Sequence, residues 1–165
     1  MLLQVTLLLF VALMLLAAVS DLVRFTIPNK LCIAIAALFP VAAMMAGFSL
    51  PLFGFHLLGG ILALVLGMAL FAPGWIGGGD AKLFAAAGFW FGISGLTAFL
   101  MYTALIGGGL VIVLLVARKF APIMGLPTAW THETALSDGA PVPYGVALAG
   151  GAMWALPSSV WLMIA

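Results

Sequence analysis

Apolar runs of membrane-crossing length follow one another along this chain with short polar interruptions, and that spacing decides what it can fold into. With 67% hydrophobic and 5% charged residues and a mean hydropathy of +1.39, there is too little polar side chain to cover a soluble domain. A bilayer core of about 30 Å needs roughly 20 apolar residues of helix. Residues 2–20, 31–48, 54–72, 96–117 and 142–162 approach or meet that length. Residues 81–91 are apolar too, but about 11 residues make only ~16 Å of helix. The expectation is an all-α integral membrane protein with six transmembrane helices, the fourth of them short, occupying residues 1–165 as a single polytopic domain.

Local signals refine this. Gly92, Ile93, Ser94 and Gly95 predict a turn after the short helix, Pro40 sits inside the second span, and Pro157 interrupts the last. Gly59, Gly60 and Gly67 predict close helix contact along the third span. If the short helix reaches the far surface, Asp80 at its start lies below the near one. Residues 73–79 then dip into the membrane as irregular backbone; the alternative is a longer fourth helix with a shallow Asp80. Trp75, Trp90, Trp154 and Trp161 lie near predicted span ends, where an aromatic belt would place them. No Lys or Arg precedes residues 2–20, so the first run reads as a retained helix rather than a secretory signal.

Arg24, Lys30, Lys82, Arg118 and Lys119 all fall in or beside the loops 21–30, 73–80 and 118–141. The opposite loops have none, so the positive-inside rule makes the charged face cytoplasmic and puts both termini outside. The long 118–141 connection carries Pro122, Gly125, Pro127, Gly139 and Pro141, with room for a short interfacial piece at Trp130. A net charge of +1 offers no basic footprint for nucleic acid. Cys32 is the single cysteine, which rules out an internal disulfide and predicts a packed thiol. His56 and His132 have no partner at ligand spacing, so no metal is expected.

Of the four acidic residues, Asp21 and Asp80 stand where an apolar helix meets a polar loop on the same face. An Asp at the centre of a spanning helix costs roughly 2.5–3.5 kcal/mol on insertion scales, so intramembrane acids mark pathways or reaction sites. Two carboxylates brought together do not both ionise readily; one can take a proton from water while the other, protonated, polarises a carbonyl. Gly77, Gly78 and Gly79 before Asp80 permit close backbone approach. The plainer readings are a capping Asp80 on the fourth helix and a solvated Asp21 at a helix end.

Asp21 followed by Ile27, Pro28 and Asn29, then Gly77 to Leu83 with Asp80 at its centre, then Pro143, Tyr144 and Gly145 running to Ala149, together resemble the type IV prepilin peptidases, whose aspartyl protease motif is GxGD. The resemblance covers essentially the whole chain and is closest to the short, peptidase-only branch associated with Flp-type pili. It implies that Asp21 and Asp80 are the catalytic pair. It also implies a bacterial inner-membrane enzyme that cuts prepilins or pseudopilins on the cytoplasmic side, between a short basic leader and a hydrophobic helix. Longer members carry paired CxxC motifs and often methylate the new N-terminus; with Cys32 alone, neither S-adenosylmethionine nor any other cofactor is expected.

Gly77, Gly78, Gly79, Lys82, Pro143, Tyr144 and Gly145 are the residues expected to bind substrate or shape the site; Lys82 either tunes Asp80 or anchors the substrate, or is an ordinary positive-inside anchor. Tyr144 and Gly145 open the last helix, and Gly145 with Ala149 suits tight helix packing. Glu133 and Asp138 read as solvated loop charges. The competing functions are a small proton-coupled transporter and a non-catalytic assembly scaffold. A carrier needs acids near the midplane and often repeated halves, whereas these acids cluster at one face. The sequence does not specify an oligomeric state.

Overall fold

The computed structural model describes residues 1–121, 123, 134–137 and 139–164. The expectations for Pro122, Gly125, Pro127, Trp130, His132, Glu133 and Asp138 lie outside the described residues. The regular elements are α1 (Leu2–Arg24), α2 (Asn29–Met45), α3 (Leu50–Phe71), α4 (Gly78–Phe120), α5 (Tyr144–Ala155), a 3-10 turn (Leu156–Ser158) and α6 (Val160–Ile164). Leu2–Arg24, Leu50–Phe71, Gly78–Phe120 and the composite Tyr144–Ile164 are long and apolar enough to cross a membrane. The 17-residue α2 is shorter.

α4 is a helical hairpin rather than one rod. Gly92 breaks the helical dihedrals at φ 60° and ψ −173°, a conformation open to glycine and costly for any side chain. In a continuous helix Phe84 and Phe99 would stand ~22 Å apart, yet their ring centroids are 5.5 Å apart. The turn read at Gly92–Gly95 is therefore a reversal pivoting on Gly92, with helical geometry resuming at once. The arm before it, 78–91, is short and buried nearly all round, with Lys82 as its exposed exception. It is the central post against which the other helices pack.

Small residues let α3 approach that post. A Cβ on Gly59 would lie 2.4 Å from the Gly92 backbone, and one on Gly88 would lie 2.6 Å from Ala63 Cβ, so the two helices meet backbone to backbone, as the glycines of the third span predicted. At the end of the bundle away from the aspartates an aromatic cluster closes the core. Phe10 stacks on Trp90 at 4.4 Å, Phe39 on His56 at 5.6 Å, and Trp161 on Phe48 at 4.8 Å. Trp90 donates its indole N–H to the Ile35 carbonyl at 2.9 Å, Trp161 donates to the Trp90 carbonyl, and His56 Nδ1 bonds the Phe89 carbonyl at 2.8 Å.

Trp90 and Trp161 are fully buried, so the belt expected of four tryptophans is left to Trp75 and Trp154, which are exposed. The two buried indoles have backbone carbonyls to bond, which removes their need for an interfacial position. His56 is likewise a core residue. Pro157 does end α5, through the 3-10 turn that precedes α6.

Candidate active site

Asp21 lies in the last turn of α1. Leu7, Phe10, Met14, Ala17 and Asp21 recur every three or four residues and are all buried, so the carboxylate shares the face that packs into the bundle. The helix outruns the apolar run by one turn, to Arg24, because backbone hydrogen bonds continue where hydrophobicity stops. Phe25 ends it in the left-handed region, φ 51° and ψ 30°, with its N–H bonded to the Asp21 carbonyl at 2.8 Å. For a non-glycine residue that conformation costs roughly 1–2 kcal/mol, and it turns the chain sharply into residues 26–28.

Asp80 comes from the other direction, in the first turn of α4. Gly77 is the N-cap, and its N–H donates to Asp80 Oδ2 at 3.0 Å. Asp80 is thus not the cap itself; it satisfies the orphan amide of the cap from the third helical position. The helix starts at Gly78, three residues before the run read from sequence, leaving 73–77 as the irregular approach, with Gly74 at φ 79°.

Asp21 and Asp80 face each other across shared space. Both line a cavity of about 250 Å³ with Phe25, Ile27, Asn29 and residues 77–79. Both also line an adjoining cavity of about 490 Å³ with Trp75, Ile76, Pro141 and Tyr144. Asp80 alone continues into an apolar cavity of about 580 Å³, walled by Leu70, Phe84, Leu100, Thr103 and Leu148. The carboxylates are 5% and 8% exposed, so they are drawn from water while remaining at the wall of a cleft.

Gly145 reaches the pair from 124 positions along the chain. Its N–H donates to Asp21 Oδ2 at 2.7 Å. A Cβ there would lie 2.9 Å from Asp21 Cβ and 3.0 Å from that oxygen, so glycine is required for the amide to reach the carboxylate. Pro143, buried, is the N-cap of α5, and Tyr144 opens the helix and lines the two larger cavities. Gly145 packs closely against Asp21 and Ile27, and Ala149, one turn on, is buried.

One oxygen of each aspartate is therefore fixed by a backbone amide. Asp80 Oδ1 is buried with no hydrogen-bond partner among the described residues, an omission that costs about 1–3 kcal/mol. Such orphans are concentrated where a water, a proton or a substrate completes the set. Thr103 Oγ1 is a second buried oxygen without a partner among the described residues, on the wall of the apolar cavity.

Lys82 does not join the pair. Its Nζ donates to Asn29 Oδ1 at 3.0 Å, and it lines a groove on another face of α4 that meets the smaller aspartate cavity only at Asn29. Phe25, Ile27, Asn29 and Ile76 line the aspartate cavities without having been singled out for that role; only the Ile27-Pro28-Asn29 run gave a sequence signal. Among the described residues no group of three or more His, Cys, Asp or Glu is placed to hold a metal ion.

A sequence model of the type IV leader peptidase family matches residues 8–112, which include Asp21, residues 77–79, Asp80 and Lys82. No curated protein and no solved structure matches the chain.

Proposed function

The chain belongs to the type IV leader peptidase family, and from that premise we propose that Asp21 and Asp80 are the catalytic dyad of an aspartic endopeptidase that removes the leader of Flp-like prepilins and pseudopilins. The observation that carries this reading is the pair itself: two nearly buried carboxylates from two different helices, both inside the match, line the same two cavities. One carboxylate, ionised, accepts a proton from an attacking water held between them. The other, protonated, donates a hydrogen bond to the scissile carbonyl, and no covalent enzyme intermediate forms. The backbone bonds from Gly77 and Gly145 hold one oxygen on each side and leave the other free to act.

The apolar cavity continuing from Asp80 suits the hydrophobic helix that follows a prepilin leader, with Thr103 Oγ1 available to a backbone group of the bound segment. The chain is read as one polytopic domain of six crossings in the bacterial inner membrane, with α2 and the two arms of α4 counted separately and residues 73–77 dipping below the surface. Arg24, Lys30, Lys82, Arg118 and Lys119 occupy helix ends beside the aspartates, which supports a cytoplasmic site with both termini outside. Placement of the acids at helix ends favours a peptidase over a proton-coupled carrier. The test is incubation of the purified protein in lipid with a precursor carrying a basic leader and an apolar helix. Mass spectrometry should find one cut between the two; an intact precursor at every condition would sink the assignment.

A further inference from the structure

A second groove runs down the face of the bundle that carries Lys82. α2 and α3 touch at the end away from the aspartates, where Phe39 stacks on Phe53 and on His56 at 5.4 and 5.6 Å. Toward the aspartate end they part and leave a groove of about 350 Å³, within the ~300–1,000 Å³ usual for ligand sites. One wall is Asn29, Cys32, Ile33 and Ala36 of α2; the floor is Lys82, Ala85, Ala86 and Phe89 of α4. Each series descends seven residues, about 10 Å of helix, so the two are matched in depth.

Polarity along the groove is graded. Asn29 and Lys82 share its mouth, bonded to each other at 3.0 Å, and the side chains below them are apolar apart from the Cys32 thiol. The Lys82 ammonium bonds a neutral amide, and among the described residues no carboxylate pairs with it. A cation that pairs with no carboxylate among the described residues, at the mouth of an apolar slot in a chain lying in a bilayer, has the complement of an anionic lipid: phosphate at the top, acyl chain below. A free phosphate would leave the apolar walls uncovered.

We propose that this groove binds an anionic phospholipid, its phosphate on Lys82 and Asn29 and one acyl chain along Ile33, Ala36 and Phe89. The groove shares Asn29 with the smaller aspartate cavity, but the proposal does not rest on the peptidase reading and requires only that the chain lie in a membrane. Native mass spectrometry of the whole protein, released from micelles doped with phosphatidylglycerol or phosphatidylcholine, tests it. Wild type should retain phosphatidylglycerol several-fold over phosphatidylcholine. Lys82→Gln should abolish that preference and Lys82→Arg should keep it. Ala36→Phe, which fills the groove without altering charge, should lose the lipid, and it keeps the test decisive if Lys82→Gln fails to fold. Equal retention of the two lipids by wild type, or a preference surviving either Lys82→Gln or Ala36→Phe, overturns the proposal. So does displacement by inorganic phosphate, or by a leader-bearing peptide, which would assign the groove to a peptide.

Discussion

Gly145→Ala isolates the contact that joins the last helix to Asp21. The new methyl carbon would lie 2.9 Å from Asp21 Cβ, 3.0 Å from Asp21 Oδ2 and 3.1 Å from Ile27 Cδ1, so the carboxylate has to move. Overpacking of this kind costs about 1–3 kcal/mol. Alanine in place of glycine returns up to ~1 kcal/mol of helix propensity. The net loss of stability is therefore small, roughly 0–2 kcal/mol, and the protein should still accumulate in membranes. Activity has no such compensation, because a displacement of order 1 Å at a reacting group costs about 100-fold.

Gly78→Ala is the matched comparison. Gly78 lines the smaller aspartate cavity, but the atoms nearest the new methyl would be those of the Phe71 ring, at 3.5 Å, an ordinary contact. Activity should stay within about threefold, or roughly 0.6 kcal/mol. The assay is the conversion of precursor to mature pilin on gels, at matched enzyme levels, with thermal unfolding in detergent run in parallel. Normal processing by Gly145→Ala, or equal damage by Gly78→Ala, would refute the geometry.

Two further outcomes are expected. Gly59→Ala places a methyl 2.4 Å from the Gly92 backbone, and a rigid main chain cannot give way as a side chain can. It should lower stability by about 3 kcal/mol, the upper end of overpacking costs, seen as a large fall in melting temperature; an unchanged melting temperature would mean that α3 and the α4 hairpin are not in backbone contact. In a Cys32→Ser background, cysteine placed at Ser94 should be labelled from outside intact cells and cysteine at Ser137 should not, and the reverse pattern would invert the proposed topology.

The sequence carried the helices well and their ends poorly. Hydropathy marks where a helix has to be apolar, but α1 runs on to Arg24 because its last turn is held by hydrogen bonds. Gly92 was readable as a break because a positive φ leaves a glycine signature. Trp90 and Trp161 misled because position along a helix does not say which way a ring faces, and each found a buried carbonyl. Lys82 follows Asp80 by two residues, which turns it about 200° around the helix, away from the pair. The motif located both aspartates, while the Gly145 amide on Asp21 spans 124 residues and only the folded chain reveals it.

The central claim is that Asp21 and Asp80 act as one catalytic unit, and a comparison of Asp21→Asn, Asp80→Asn and the double variant tests it most directly. Asn preserves size and can still accept the backbone bonds from Gly145 and Gly77, so insertion and folding should survive. It cannot take the proton from water or share an acidic proton with its partner. Members of a cooperating set are strongly non-additive. Each single variant should therefore abolish cleavage of the precursor at matched protein levels, with the double variant scarcely worse. Near-normal processing by either single variant, or losses that simply multiply in the double, would contradict the account.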